Sequence, residues 1–410
     1  MWRTLVAIPV VATSLGFISP ALAGKVGPEF QVNTSEAGHQ TNPSSAGLSK
    51  GRFVVTWTSG YDGFGSGVFG QLYNSKGKPA SAEFRVNATV KEDQYDTAVA
   101  GLADGGFVAT WTSEHQANKL TEVFAQRFKS NGQPAGKEFR VNTRKRGHQQ
   151  KSSVAGLAKG SFVVIWQSHG QDGDGYGIYG QRFNARGKAR GREFRVNRTT
   201  RSDQWLASVA ALKDGGFVVT WASYDQDAYG IFGQRFNAKA RRKGGEFRVN
   251  NTTAGEQSDP SVAGLAKGGF VVAWDSVNLD GSETGVAARR YNARGRPKGK
   301  ETTVNTYKKL YQGAPAVAAL AKGDYVVTWE SENQDVVDDQ NFDLRGVYGQ
   351  RFKASGKRAG KEFQAPTFLA GRQRYPSVAG LSRGRDFVVT WESDGQDFGG
   401  FNIYGQRFDR

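Results

Sequence analysis

QDGDGYGIYGQRF, residues Gln171–Phe183, decides the fold by how its two halves are read. The front half sets Asp172 and Asp174 among glycines, a spacing that suits a cation. Its GYGIYG also matches GxGxxG, which cradles phosphate only where it opens a helix. The residues that follow here are of β type, so the nucleotide reading fails. Six sister stretches, among them YDQDAYGIFGQRF and SDGQDFGGFNIYGQRF, occupy the same place in the chain. The glycines therefore turn a hairpin inside a repeated unit.

The repeat is readable from two words. EFRVN and its variants begin at Glu29, Glu83, Glu138, Glu193, Glu246, Glu301 and Glu362. FVVTW and its variants end at Trp57, Trp111, Trp166, Trp221, Trp274, Trp329 and Trp391, each 28 or 29 residues after its glutamate. The period is 53 to 55 residues, stretched to 62 before Trp391. Self-similarity at such a period marks a repeat architecture. Each unit holds four β-type runs; in the third copy they are Ser153–Leu157, Ser161–Gln167, Ile178–Asn184 and Glu193–Asn197. Four antiparallel strands repeated seven times predict an all-β, seven-bladed β-propeller. A solenoid would need capping repeats, whereas here the ends complement each other. The lone fourth run Glu29–Asn33 and the final third run Ile403–Phe408 predict a ring whose last blade is built from both termini. The expected blades are about 43–87, 97–142, 152–197, 207–250, 260–305, 315–366, and 376–410 with 27–33. The seven repeat tryptophans are expected to pack blade against blade rather than to offer stacking platforms.

Residues 1–23 have a charged start at Arg3, an apolar run and a closing Ala21-Leu22-Ala23, the order of a secretory signal. This predicts export, to the periplasm, cell surface or medium. The chain has no cysteine, which excludes disulfides and thiol chemistry. The net charge of +17 favours an acidic partner. Alternating strands let that charge be sorted by face. Six third-to-fourth connections, NSKGKPASA to KASGKRAGK, carry 20 basic residues and no acid. The candidates for polyanion contact are Arg186, Lys188, Arg190, Arg192, Arg241, Arg242, Lys243, Arg294, Arg296, Lys298, Lys357 and Arg358. The second-to-third connections are read as acidic by about 17 charges, including Glu122, Asp275, Glu330 and Glu392. One basic and one acidic face follow.

A glutamine stands 11 residues after each repeat glutamate, from Gln40 to Gln373. The connection before the first strand is its expected place, near the mouth of the central channel. Such a ring ties loops to neighbours or presents amides to a ligand. Symmetry-breaking residues beside it are the candidate ligand contacts: Trp205 with Gln204, Tyr95 and Arg374. Trp205 suits either a sugar face or half-buried packing. The loop Glu332–Asp343 gathers Asp335, Asp338, Asp339 and Asp343. There, or at Asp172 and Asp174, Ca²⁺ would be expected if a cation binds, since it prefers six to eight oxygens; no other cofactor is expected. His39, His115, His148 and His169 show no metal spacing, and no nucleophile motif is present.

The composite GGFVVTWxSxxQDGxGxGIYGQRFN…GxEFRVN resembles repeats of secreted bacterial surface and RTX-like proteins, over essentially the whole chain after residue 23. The Asp172–Asp174 loop is distantly similar to integrin-type propeller loops, which imply calcium. It departs from them at Tyr176 and Gly177, where a further acid is missing. The function expected is a non-enzymatic binding or scaffold propeller whose basic face docks on acidic polysaccharide, lipopolysaccharide or another surface polyanion. A protein partner on the loop face is compatible with it. The alternatives are lectin-type binding at the channel mouth and a glycan-active enzyme using loop carboxylates.

Overall fold

The second strands of the repeats read FVVTWTS or close to it, and every residue of Phe53–Ser59 and Phe107–Ser113 is buried. Continuous burial means both faces of each sheet are covered. In the computed structural model, which describes residues 24–409 apart from 36, 61–62, 64, 115–119, 226–227, 280, 282, 335–343, 382–383 and 397–399, the covers are the neighbouring sheets. There are seven four-stranded antiparallel sheets. Blade three runs from the inner strand Gln149–Gly156 through Phe162–His169 and Tyr176–Phe183 to a two-residue outer strand, Phe194–Arg195. The leader assigned to residues 1–23 lies outside the described residues. Among the described residues no helix is long and apolar enough to cross a membrane.

The last sheet joins Gly24–Gln31 to Asn402–Asp409, so the chain's start supplies the outer strand of blade seven. Pairing runs from Gly24 opposite Asp409 to Gln31 opposite Tyr404. Seven apolar clusters sit between blades. In one of them, Val163, Ile165, Ile178 and Val196 of blade three meet Phe217, Val219 and Trp221 of blade four. Another joins Val32, Val388 and Ile403 of blade seven to Phe53, Val55 and Trp57 of blade one. The ring is therefore closed through apolar packing as well as strand pairing. All seven repeat tryptophans are among the largest fully buried side chains, so they are core and not stacking platforms.

The repeat glutamate, half-buried in all seven copies, has a structural task. Each one reaches the blade before it and accepts the backbone N–H just beyond that blade's outer strand. Glu193 Oε2 takes Thr143 N at 2.8 Å and Thr143 Oγ1 at 2.9 Å. The same contact recurs at Glu83, Glu138, Glu246, Glu301 and Glu362. It closes the circle where Glu29 takes Thr367 N and Oγ1, at 2.5 and 2.7 Å. The repeat asparagine is equally committed. Asn197 is fully buried, and its Oδ1 accepts the Ile178 amide at 2.8 Å. Asn33 and Asn87, at the same repeat position, are buried in the same way.

Each inner strand begins three to four residues earlier than expected, at the repeat glutamine. The reason is a bulge: between Gln150 and Ser153 the register shifts, so two residues oppose Trp166. The same shift occurs in all seven blades. At the other end of the inner strands neighbouring backbones touch. A Cβ at Gly156 would collide with the Gly101 carbonyl, and one at Gly101 lies 2.6 Å from that of Gly47. Strand alternation places the first-to-second and third-to-fourth connections on this side. The glutamine ends and the remaining connections lie on the other.

Candidate functional site

The third-to-fourth connections are short hairpins fixed by their own side chains. Asn184 Oδ1 accepts the amides of Arg186 and Lys188 at 2.8 and 3.0 Å, an Asx turn. All twelve basic residues singled out on these hairpins are exposed. Arginines of the third strands bridge neighbouring hairpins. Arg182 reaches the Ala238 carbonyl, and Arg235 Nη2 and Arg290 Nη1 donate to Ala293 O and Ala354 O at 2.7 Å. Three of the twelve also have structural duties. Arg242 Nη2 donates to Arg195 O at 3.0 Å, Arg358 Nη2 to Thr303 O at 3.0 Å, and Lys243 Nζ to Asp214 at 2.7 Å. Three acids of this face, Asp104, Asp214 and Asp324, are each within 3.0 Å of an arginine or lysine. The exposed excess on this side is basic.

The opposite face is less acidic than its residue count implied. Glu122, Asp275, Glu330 and Glu392 are not loop carboxylates: they are 1–4% exposed, because the second and third strands extend to include them. Asp394 is paired with Arg372 at 2.9 Å. Burial pushes the Glu392 carboxyl up to about 7. Burial likewise raises Glu330, and burial with the nearby Asp259 charge holds Asp275 well above the ordinary range.

These carboxylates hold the channel mouth together. The first bulge residue of each inner strand has a left-handed backbone: Asn42, Asp96, Lys151, Leu206, Asp259, Ala314 and Tyr375 have φ between 48° and 53°. Five of their amides are taken by the preceding blade, at the position just after its tryptophan. Glu392 Oε2 accepts Asn42 N at 3.1 Å, Asp275 Oδ2 accepts Ala314 N at 3.3 Å and Glu330 Oε1 accepts Tyr375 N at 2.6 Å. Thr112 Oγ1 and Gln167 Oε1 do the same for Lys151 and Leu206, both at 3.3 Å. The seven left-handed residues line one cleft of about 360 Å³ at the centre of the ring.

The residues expected at this mouth sit one or, for Gln204, two positions before those that line it. Gln204 is fully buried rather than in a connection. Its amide donates to Arg201 O and Ser202 O at 3.0 and 2.9 Å, and its oxygen accepts Asn197 Nδ2 at 2.7 Å, which leaves nothing to offer a ligand. The ring of glutamines therefore ties its own loops, and Gln40, Gln149 and Gln257 also hold their tryptophans; Gln149 Oε1 takes Trp166 Nε1 at 3.0 Å. Tyr95 donates its hydroxyl to Glu114 at 2.9 Å. Arg374 pairs with Glu392 at 3.1 Å and lies over Phe401 at 4.3 Å. Trp205 is half-buried, 4.6 Å from the Tyr229 ring, and borders an adjoining cleft of about 330 Å³ with Gln167, Tyr176 and Asp203, which shares Lys151 and Leu206 with the central one. The seven left-handed residues went unnoticed because each follows the glutamine by two, where the repeat loses its consensus.

For metal, Asp172 Oδ2 accepts Asn197 Nδ2 at 3.2 Å while Asp174 Oδ2 accepts Ser202 N at 2.9 Å, so the pair serves two different donors. Asp335, Asp338, Asp339 and Asp343 lie outside the described residues. Among the described residues no group of three or more carboxylates or histidines is placed to hold a metal ion.

No protein-family model matches the sequence, and no curated protein matches it. Solved structures do. A protein of unknown function from Dyadobacter fermentans superposes with a TM-score of 0.57 at 10% identity, over 94% of this chain and 99% of that one. A polysaccharide lyase gives 0.53 at 11% identity, over 94% and 99%. The α-L-arabinanase of Penicillium chrysogenum, in complex with arabinobiose, gives 0.52 at 12%, over 93% and 99%. Likeness at such identities shows the fold alone.

Proposed function

We propose that this propeller is a non-enzymatic glycan-binding module, exported from the cell, that docks through its basic face on an acidic polysaccharide or lipopolysaccharide. The observation that carries the reading is the exposure of all twelve basic side chains on one side of the ring, on hairpins whose spacing is fixed by blade-to-blade arginines. Fixed hairpins of one sign present their charge with no backbone left to order on binding and attract a polyanion over a Debye length, about 10 Å at 0.1 M salt. Two of the solved structures that share the fold are, by their names, an arabinanase and a polysaccharide lyase, which supports a glycan as the partner class. The three deeply buried carboxylates serve the framework rather than a reaction. Asp275 is occupied by the Ala314 amide and the Tyr311 hydroxyl, Glu330 and Glu392 by backbone amides and by Arg345 and Arg374, and none of the three lines the cleft.

The test is binding to heparin and to purified lipopolysaccharide between low and high salt. Charge reversal belongs at Arg186, Lys188 and Arg192, which carry no structural hydrogen bond from their side chains, rather than at Arg242 and Lys243, which do. The triple glutamate variant is expected to bind at least about tenfold more weakly, a loss of about 1.4 kcal/mol. Binding unmoved by salt and by the variant would overturn the reading.

A further inference from the structure

The framework of the channel mouth repeats in every blade, and the residues it presents do not. Glutamine, tryptophan and the serine two beyond it recur seven times, while the left-handed position holds Asn42, Asp96, Lys151, Leu206, Asp259, Ala314 and Tyr375. Glycine meets a left-handed bulge at no steric cost, and a bulge of this kind favours it. The chain has 54 glycines and places none at these seven positions. Tyrosine, leucine and lysine there cost about 1 kcal/mol or more each. Local packing does not explain Tyr375, which is 48% exposed with only Arg374 set over its ring, at 5.6 Å. Strain of this kind persists where the side chain is used.

The cleft they surround is concave, rigid and of mixed character. Tyr375 and the prolines at 43, 260, 315 and 376 give it apolar walls, and Asn42, Asp96 and Asp259 give it hydrogen-bonding groups. Its backbone is held before any ligand arrives, by Glu330 on the Tyr375 amide and Glu392 on that of Asn42. The lining acids Asp96 and Asp259 face a single lysine, Lys151, already paired to Asp96 at 3.0 Å, and Asp259 is hydrogen-bonded to Ser258 and to the buried Asp275 beneath it. An anion is therefore disfavoured here, in contrast to the opposite face. A volume of about 360 Å³ suits one or two sugar rings.

We propose that the channel mouth binds a neutral saccharide, with a sugar ring stacked on Tyr375 and its hydroxyls held by Asn42 and Asp259. This site is independent of polyanion docking, which uses the other face and requires low salt.

The experiment is ligand-observed NMR and calorimetry with glucose, galactose, mannose, N-acetylglucosamine, lactose and maltose in 0.5 M NaCl, where docking on polyanions is suppressed. Three variants are compared: Tyr375→Gly, Asn42→Gly and Trp205→Ala. Glycine keeps the left-handed backbone, so Tyr375→Gly is expected to melt at or above the wild-type temperature while losing affinity at least tenfold. Asn42→Gly should weaken binding several-fold, and Trp205→Ala should leave it unchanged. The proposal is overturned if none of these sugars binds, if binding survives Tyr375→Gly, or if only Trp205→Ala abolishes it. A Tyr375→Gly variant that is clearly less stable would also overturn it, because the side chain would then be serving the fold.

Discussion

Replacing Glu392 by glutamine tests whether buried carboxylates set the stability of the ring near neutral pH. Glu392 is 1% exposed, accepts Asn42 N at 3.1 Å across the junction of blades seven and one, and pairs with Arg374 at 3.1 Å. Burial outweighs both contacts and holds its carboxyl at about 7, against an ordinary value of 4.5. Between those two pH values the folded chain keeps a proton that the unfolded chain has released. Folding then takes up a proton, so stability falls as pH rises from 4.5 through 7. Converted at about 1.4 kcal/mol per pH unit, the full loss from this one group is about 3 kcal/mol above neutrality. Glutamine cannot ionise, and its oxygen still accepts the Asn42 amide. Beside a protonated glutamate Arg374 has no counter-charge either, so the exchange of side chain itself is allowed about 1 kcal/mol. The variant should therefore match the wild type within about 1 kcal/mol at pH 4.5 and exceed it by about 2 kcal/mol at pH 8. Both should keep some decline with pH, because burial raises Asp259, Asp275 and Glu330 in the same direction. Urea unfolding from pH 4.5 to 8 reads the effect directly. Wild-type stability that is flat or rises across this range, or a variant that declines as steeply as the wild type, refutes the reasoning.

Two further predictions concern the ring itself. Glu29→Ala and Glu193→Ala should each destabilise by about 1–2 kcal/mol in urea unfolding, since each removes three hydrogen bonds to a carboxylate, two of them exposed. A silent Glu29→Ala beside a costly Glu193→Ala would mean that the termini do not close the ring in solution. Gln149→Leu leaves Trp166 Nε1 and two loop carbonyls without their partner, and a loss of about 2–4 kcal/mol is expected in the same assay. A loss under about 0.5 kcal/mol would show that the amide does not tie the loop.

Much of the fold was legible because a repeat states every packing contact several times. A tryptophan and a phenylalanine–valine run at a fixed period fix the strands, and complementary ends fix closure. Alternation of antiparallel strands then sorts the basic hairpins to one face without any coordinates. The candidate site was less legible. The sequence pointed at Gln204, Trp205, Tyr95 and Arg374, whereas the cleft is lined by the next residue in each blade, such as Leu206, Asp96 and Tyr375. A bulge opposite the tryptophan displaces the strand by one residue, and one residue in a strand exchanges the two faces.

The same division runs through the charges. Composition alone determined that this chain carries a basic excess, and the hairpin spacing determined where. Only the tertiary structure decided which acids were spent inside the molecule. Whether Asp275, Glu330 and Glu392 lie in a wet loop or a dry strand end depends on how far two strands pair, which is a property of neighbouring blades. The glutamate latches depend on the same thing. Their partners lie about 50 residues earlier in the chain or, for Glu29, 338 residues later, and only closure of the ring brings them together.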